Sequence, residues 1–501
     1  MKTLINPESR GVSMYGENIR SASLRARKLA PILLYGLAAS TGVHAQSSET
    51  AELKAQLEQV KAQMQAQQQV MEKMQSRLQE LEAKERAQAK VQAAPTQAAP
   101  LVSSASAPAP STPPPYRPPS ALAGATEPLP QGYVRLGDTG NLLKLDLVAQ
   151  LDAMADSTYM GAPDLFVPSS IPVRGQPFYD SGRRSNMSAK QSIFRMDFRR
   201  ETDYGTLKVV YKNNFFGSGT GDMPYNLQTF YGELDNDRYS LLAGYNISAF
   251  TDIDVFPNTL DYEGPNSFTF KYGPQIRFSP VLYRSGESAL TLPMSLEKPN
   301  ADITVPGDFD FRTYSRRPDI VLGLRWQAPD WHVQWANLFR DLRVESADAH
   351  TRSTSGYASQ LTGTTKLFEH DSVQGWVSYG KGYANFLQDI SGLGLDAAFT
   401  PESDLRAIRA RGYGAGYTHA WLENLTSSLA YGYLRISPQS NLLIDETMPK
   451  STKFASLNLA WQFSERAMLG VEYLWGQNID LTDARGQGQR IQTTLRYDLN
   501  P

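Results

Sequence analysis

Arg195, Asp197 and Arg199 alternate with Phe194, Met196 and Phe198, so one extended segment carries charge on one face and apolar bulk on the other. The next segment repeats the device, with Lys208 and Lys212 set against Leu207, Val209 and Tyr211. The same parity places Lys271, Gln275 and Arg277 on the polar face, then Arg325 between Leu324 and Trp326, then His332, Gln334 and Arg340, and finally Arg496. Guanidinium forks and ammonium groups gathered on one wall attract and orient carboxylates. The competing reading is that these cations pair with Asp146, Asp197 and Glu472 and merely solvate the wall. Residues 249–265 add Asp252, Asp254, Asp261 and Glu263. Folded inward, that segment sets acids against the cations across a constriction; left outside, it is an acidic surface loop.

Other chemistries lack their parts. Cysteine is absent, which removes disulfides, thiolate metal sites and Cys nucleophiles. The histidines are His44, His332, His350, His370 and His419, and none has helical metal-ligand spacing. A Ser-His-acid site with His332 or His419 as base has no Gly-x-Ser-x-Gly turn to supply its nucleophile. No enzyme activity, metal or cofactor is therefore expected. A formal net charge of -2 excludes nucleic acid as a partner.

Alternating segments need a frame that solvates one face and buries the other. Sixteen candidate strands run from residues 141–153 to residues 489–499, the clearest of the others being 192–200, 205–214, 320–327, 454–463 and 468–476. Tight polar turns at 201–204, 235–237, 284–286, 328–330, 368–370, 423–424 and 464–466 occupy every second connection, and the connections between them read as long. That asymmetry predicts an all-β transmembrane fold, a 16-stranded antiparallel outer-membrane barrel, because only closed barrels of strands satisfy their backbone in lipid. Tyr204, Trp331, Trp421, Trp461 and Tyr497 fall where interfacial girdles belong. A secreted sandwich or propeller, the alternative, has no use for such girdles. A barrel of this size encloses an aqueous channel.

Upstream lie three further segments. Residues 1–45 read as a signal peptide: Arg25, Arg27 and Lys28, an apolar run over 29–39, then Val43-His44-Ala45, with Met14 a second candidate start. The apolar run is too short to be a membrane anchor. Residues 46–90 read as a coiled coil, with Leu57, Met64, Met71 and Leu78 at one heptad position and Leu53, Val60, Met74 and Leu81 at the other. Gln67 falls in the seam, and Arg77 and Glu82 are spaced for a pair between chains; a solvated single helix is the alternative. Residues 91–130, with Pro113-Pro114-Pro115, read as an extended Pro/Ala/Ser-rich linker, and 131–501 as the barrel. An even strand count puts both barrel termini, and hence the coiled coil, in the periplasm.

Asp203-Tyr204-Gly205-Thr206-Leu207, Leu241-Leu242-Ala243-Gly244, Phe250-Thr251-Asp252 and Asp261-Tyr262-Glu263-Gly264-Pro265-Asn266 are short motifs whose order and spacing carry a resemblance. Together with the order of segments, they make the chain resemble the DcaP-like trimeric outer-membrane porins over nearly its whole length. The resemblance implies a homotrimer and passive uptake of small anionic solutes, dicarboxylates in particular. It departs at Asn246 and at the end, Tyr497-Asp498-Leu499-Asn500-Pro501, where the alternation holds through Leu499 and Asn-Pro reads as an overhang. The expectation is a porin in the outer membrane of a Gram-negative-type cell, in contact with its lipids. Arg195, Arg199, Lys208, Lys212, Lys271, Arg277, Arg325, Arg340 and Arg496 would form the pore wall, and Asp252, Asp254, Asp261 and Glu263 the constriction loop. The coiled coil would lock the trimer or reach toward peptidoglycan. The alternative is a structural barrel tethered to the cell wall, without selective transport.

Overall fold

The computed structural model of the chain describes residues 130, 132–307 and 311–499; the expected signal peptide, the coiled coil and nearly all of the linker lie outside them. The described residues form a closed 16-stranded antiparallel barrel. In chain order its strands are Asn141–Asp156; Arg184–Ser188 continued by Ile193–Thr202; Gly205–Asn214; Asn226–Asp235; Tyr239–Ile247; Tyr272–Ser285; Ser288–Thr291 continued by Met294–Glu297; and Phe311–Tyr314 continued by Asp319–Gln327. The second eight follow as Trp331–Ser346, Thr351–Leu367, Asp371–Lys381, Arg409–Leu422, Leu425–Ser437, Pro449–Ser464, Ala467–Asp480 and Arg485–Asp498. The seventh breaks at Pro293, which has no N–H to give the ladder.

Closure joins first strand to last, from Val148 opposite Asp498 to Asp156 opposite Arg490. Beyond that overlap the first strand would leave an open edge. The short segment Val134–Leu136 pairs with its beginning, Val134 with Leu143 and Leu136 with Asn141, and so shortens the ladder left open at the seam.

The tight turns fall where the polar clusters of the sequence put them, and Tyr204, Trp331, Trp421, Trp461 and Tyr497 all project outward around that rim. On the opposite rim the pattern differs from expectation. Residues 347–350 and 481–484 are as short as turns, held by left-handed Ala349 and Asp483. The strands flanking 347–350 are 16 and 17 residues long, so ladder replaces loop on that side.

Three of the long connections, 157–183, 248–271 and 382–408, turn inward. A barrel this wide is not filled by its own side chains, and the loops bring apolar residues to finish the job. Phe250, Leu387, Ile390 and Ile408 pack on Val321, Leu338 and Leu434 of the wall. Phe166 and Ile171 pack on Phe454 and Leu474. Inward glycines make the approach possible: a side chain at Gly432 would strike Asn266, and one at Gly486 the backbone of Pro172. Outside, Leu145, Leu147, Leu151, Leu207, Val209, Ile276, Leu324, Trp335, Leu361, Val377, Leu429, Leu457 and Val471 form the exposed apolar belt that a bilayer covers.

Candidate functional site: a charge ladder facing an inward loop

Loop 248–271 leaves the fifth strand, crosses the lumen and returns to the sixth, fastened along the way by polar wall residues. Near its start Asp252 accepts from Arg325 at 3.0 Å and Thr362 at 2.5 Å, and lies 2.9 Å from the His332 ring nitrogen. At its tip the Glu472 carboxylate accepts from the backbone N–H groups of Leu260 and Asp261 at 2.9 and 2.8 Å. Asn458 donates to the Asn258 carbonyl, and both Gln191 and Gln492 donate to that of Leu260. On the return, Asn266 donates to Thr452, Thr269 to Gln360 and Lys271 to Asn385.

The acids of this loop divide. Asp252 is buried; burial alone would raise it, but the His332 hydrogen bond and Arg325 hold it below the ordinary carboxylate value. Asp254 is exposed to the lumen and meets Arg325 at 2.6 Å. Burial pushes Asp261 up to about 6 against the pull of Arg490, 3.7 Å away. Burial beside Asp261 and Asp389 takes Glu263 up to about 8, and burial lifts Asp389 itself to about 6.

The expected cations also divide. Those on the last, second and third strands form a ladder along the open wall. Arg195 and Arg199 both hold Asp197, each at 3.0 Å, and Arg195 also lies 4.0 Å from Asp146. Lys208 meets Asp235 at 2.6 Å and Glu233 at 3.6 Å, and Arg496 meets Asp498 at 3.0 Å. Arg195 and Arg199 stay 41% and 37% exposed while the Asp197 between them is 3% exposed, so the guanidinium groups rather than the acid face the water. Lys212 has no hydrogen-bond or ion-pair partner among the described residues; it stands opposite Arg195 and feels Arg496. Tyr133, just before the seam segment, lies 4.9 Å under the Arg199 guanidinium, with its hydroxyl on Asp197.

Arg340 is withdrawn from the lumen. It is buried between Asp319 at 3.0 Å and Asp396 at 2.7 Å, and donates also to the carbonyls of Gly382 and Asn300. Arg277 is half-buried and spends its donors on Gln275 and the Ile247 carbonyl. Lys271 lines a cavity of about 240 Å³ with Tyr245, Tyr272, Glu297, Asp319 and Arg340. Inward parity is shared by all of them; what separates them is which stretch of wall the loops cover.

Sequence reading missed Arg490, which is fully buried, bidentate to Asp156 at 2.6 and 3.0 Å and bonded to the carbonyls of Ala162 and Pro163. Its signal was present, since it shares the inward parity of Gln492, Thr494 and Arg496. Among the described residues no group of His, Asp and Glu is arranged to hold a metal ion.

The model of the DcaP outer membrane protein family matches residues 168–499. Among curated proteins no sequence match is found. Among solved structures, the outer membrane channel DcaP of Acinetobacter baumannii is similar at 17% identity and a TM-score of 0.61, covering 72% of this chain and 98% of its own. An anion-selective porin from Comamonas acidovorans matches at 8% identity and a TM-score of 0.48, covering 72% and 100%. OmpF of Salmonella typhi matches at 10% and 0.45, covering 73% and 100%. A family match over most of the barrel, joined to a closed 16-stranded wall with loop 248–271 turned inward, settles the affiliation: this chain belongs to the DcaP outer membrane protein family.

Proposed function

We propose that the chain is a diffusion channel for small anionic organic solutes, dicarboxylates among them, and that it works as a homotrimer in the outer membrane with residues 46–90 as a periplasmic coiled coil. The observation that carries the reading is the exposed Arg195-Asp197-Arg199 rung beside unpaired Lys212, on the wall that the loops leave open. Two half-exposed guanidinium groups share one buried carboxylate. An incoming carboxylate takes a free face of either fork without first breaking the internal bond, and a second carboxylate on the same solute reaches Lys212. Each contact replaces water with a charge-assisted hydrogen bond, yet stays exposed enough to release. Acids answer most of the ladder's cations, which supports a modest anion preference and argues against a fixed high-affinity site. No chemical step on the solute is called for, which supports a channel over an enzyme.

The test is reversal potential across a planar bilayer holding the purified protein in a salt gradient, with and without succinate. Anion preference and block by succinate are expected, and Arg195→Gln with Arg199→Gln lowers the preference. Unchanged selectivity in that double variant would remove these residues from the selective wall. Absence of any conductance would instead favour a structural barrel tethered through its coiled coil.

A further inference from the structure

The outer surface of the barrel carries charge in one place that the channel does not explain. On the eleventh to fourteenth strands, at the rim opposite the tight turns, Lys381, Arg409, Arg411, Arg435 and Lys453 all project outward. Their parity is that of Tyr379, Tyr413, Tyr431 and Tyr433 and, further down, of Val377, Leu429 and Leu457 on the apolar belt. Lys381 stands directly opposite Arg409, and Arg411 directly opposite Arg435. Lys453 is opposite Tyr433, one step along from Arg435.

Like charges directly opposite on neighbouring strands destabilise a sheet. Among the described residues, the wider field of Asp483 on Arg435 is the relief that these pairs receive. None of the five makes a hydrogen bond or ion pair among the described residues. The nearby acids are engaged elsewhere: Asp483 meets Lys450 at 2.6 Å, with Arg435 and Arg485 in its wider field, and Asp404 meets Arg406 at 3.1 Å. The neighbouring stretch of the same rim behaves differently. On the eighth and ninth strands the outward charges are matched, Arg343 with Asp341 at 2.6 Å and Arg312 with Glu345 at 2.9 Å. The barrel therefore balances its rim charges on one side and leaves a block of cations on the other.

Height identifies what the block meets. Trp421, in the girdle at the turn rim, is ten residues along the twelfth strand from Arg411. At a rise of about 3.3 Å per residue and a tilt of about 40°, that is about 25 Å, the thickness of the apolar band of an outer-membrane barrel. The cations thus sit at the level of the lipid headgroups in the outer leaflet, directly above a tyrosine row that marks the interface. We propose that this surface is a binding site for a phosphate-bearing lipid headgroup of the outer leaflet. The guanidinium groups of Arg409, Arg411 and Arg435 take the phosphate oxygens, Lys381 and Lys453 close the two sides, and the acyl chains lie along the apolar belt below. Bound phosphate then supplies the counter-charge that the like-charged pairs lack.

The experiment reconstitutes the full chain into phosphatidylcholine nanodiscs containing either bis-phosphorylated or dephosphorylated lipid A, and counts retained lipid by native mass spectrometry. Wild type is expected to retain the phosphorylated form about tenfold better, and Arg409→Gln with Arg411→Gln and Arg435→Gln to lose that preference while conductance stays unchanged. Asp341→Asn with Arg343→Gln, on the balanced stretch, is expected to keep it. Arg411→Gln alone, a single exposed change that the fold tolerates, is expected to weaken it part-way. Equal retention of both lipids by wild type, or full preference in the triple variant, would overturn the assignment. So would a triple variant that keeps its lipid but changes its subunit number, which would make this face a contact between copies.

Discussion

Two stretches of the inner wall obey the same alternation and meet opposite fates. Along the eighth to sixteenth strands, inward polar residues are clamps: Arg325, His332, Gln360, Thr452, Asn458, Glu472, Arg490 and Gln492 each hold a loop that fills the lumen. Where the last strand gives way to the first three, inward charges pair sideways with neighbours on the wall and keep their heads in water. A charged residue in a barrel wall is thus a structural element where a loop reaches it and, on the function proposed above, a solute contact where none does. The difference teaches that covering, not parity, assigns the role.

Breaking the covered side should cost the most. Arg340→Met leaves Asp319 and Asp396 buried without their cation, and loss of a buried partner costs about 3–5 kcal/mol. The expected outcome is a folded barrel that unfolds at markedly lower urea, with unchanged selectivity in the fraction that assembles.

Loop 248–271 gives the intermediate case, through pH. Glu263 is raised to about 8 in the folded chain from an ordinary value near 4.5, so it favours the packed loop when protonated. Its contribution is complete below the ordinary value and is lost as pH rises toward about 8. Asp252 has the opposite sign: its anchor holds above the ordinary carboxylate value and fails only as pH falls through its lower folded value. Current noise from loop motion should therefore grow as pH rises from near 4.5 to about 8, the window set by the burial of Glu263, and Glu263→Gln should flatten the rise. The smallest effect belongs to the outer rim. Arg312→Gln removes an exposed pair with Glu345 worth about 0–1 kcal/mol, so the urea midpoint should barely move.

Much of this frame was legible in the residues. Alternation from Leu143 to Leu151 and from Ile491 to Leu499, with seven polar turns at every second connection, locates the wall because strand parity and turn chemistry are local properties. The third strand matches its expected bounds, Gly205–Asn214. Arg340 and Arg199 could not be told apart that way. Each follows an outward Phe, and the arrival of Asp396, more than fifty residues downstream, makes one of them core. The short connections at 347–350 and 481–484 escaped for a related reason: long strands carried the ladder past the membrane, where no apolar face marks its end.

Tyr133 gives the molecule a practical property. The chain leading into the barrel enters beside Arg199, at the mouth on the turn side, and the whole sequence lacks a native thiol. A lone cysteine substituted there would be a chemical address on a blank background, reachable from the turn-side compartment by a reagent too large for the channel. The barrel comes ready to report its own sidedness.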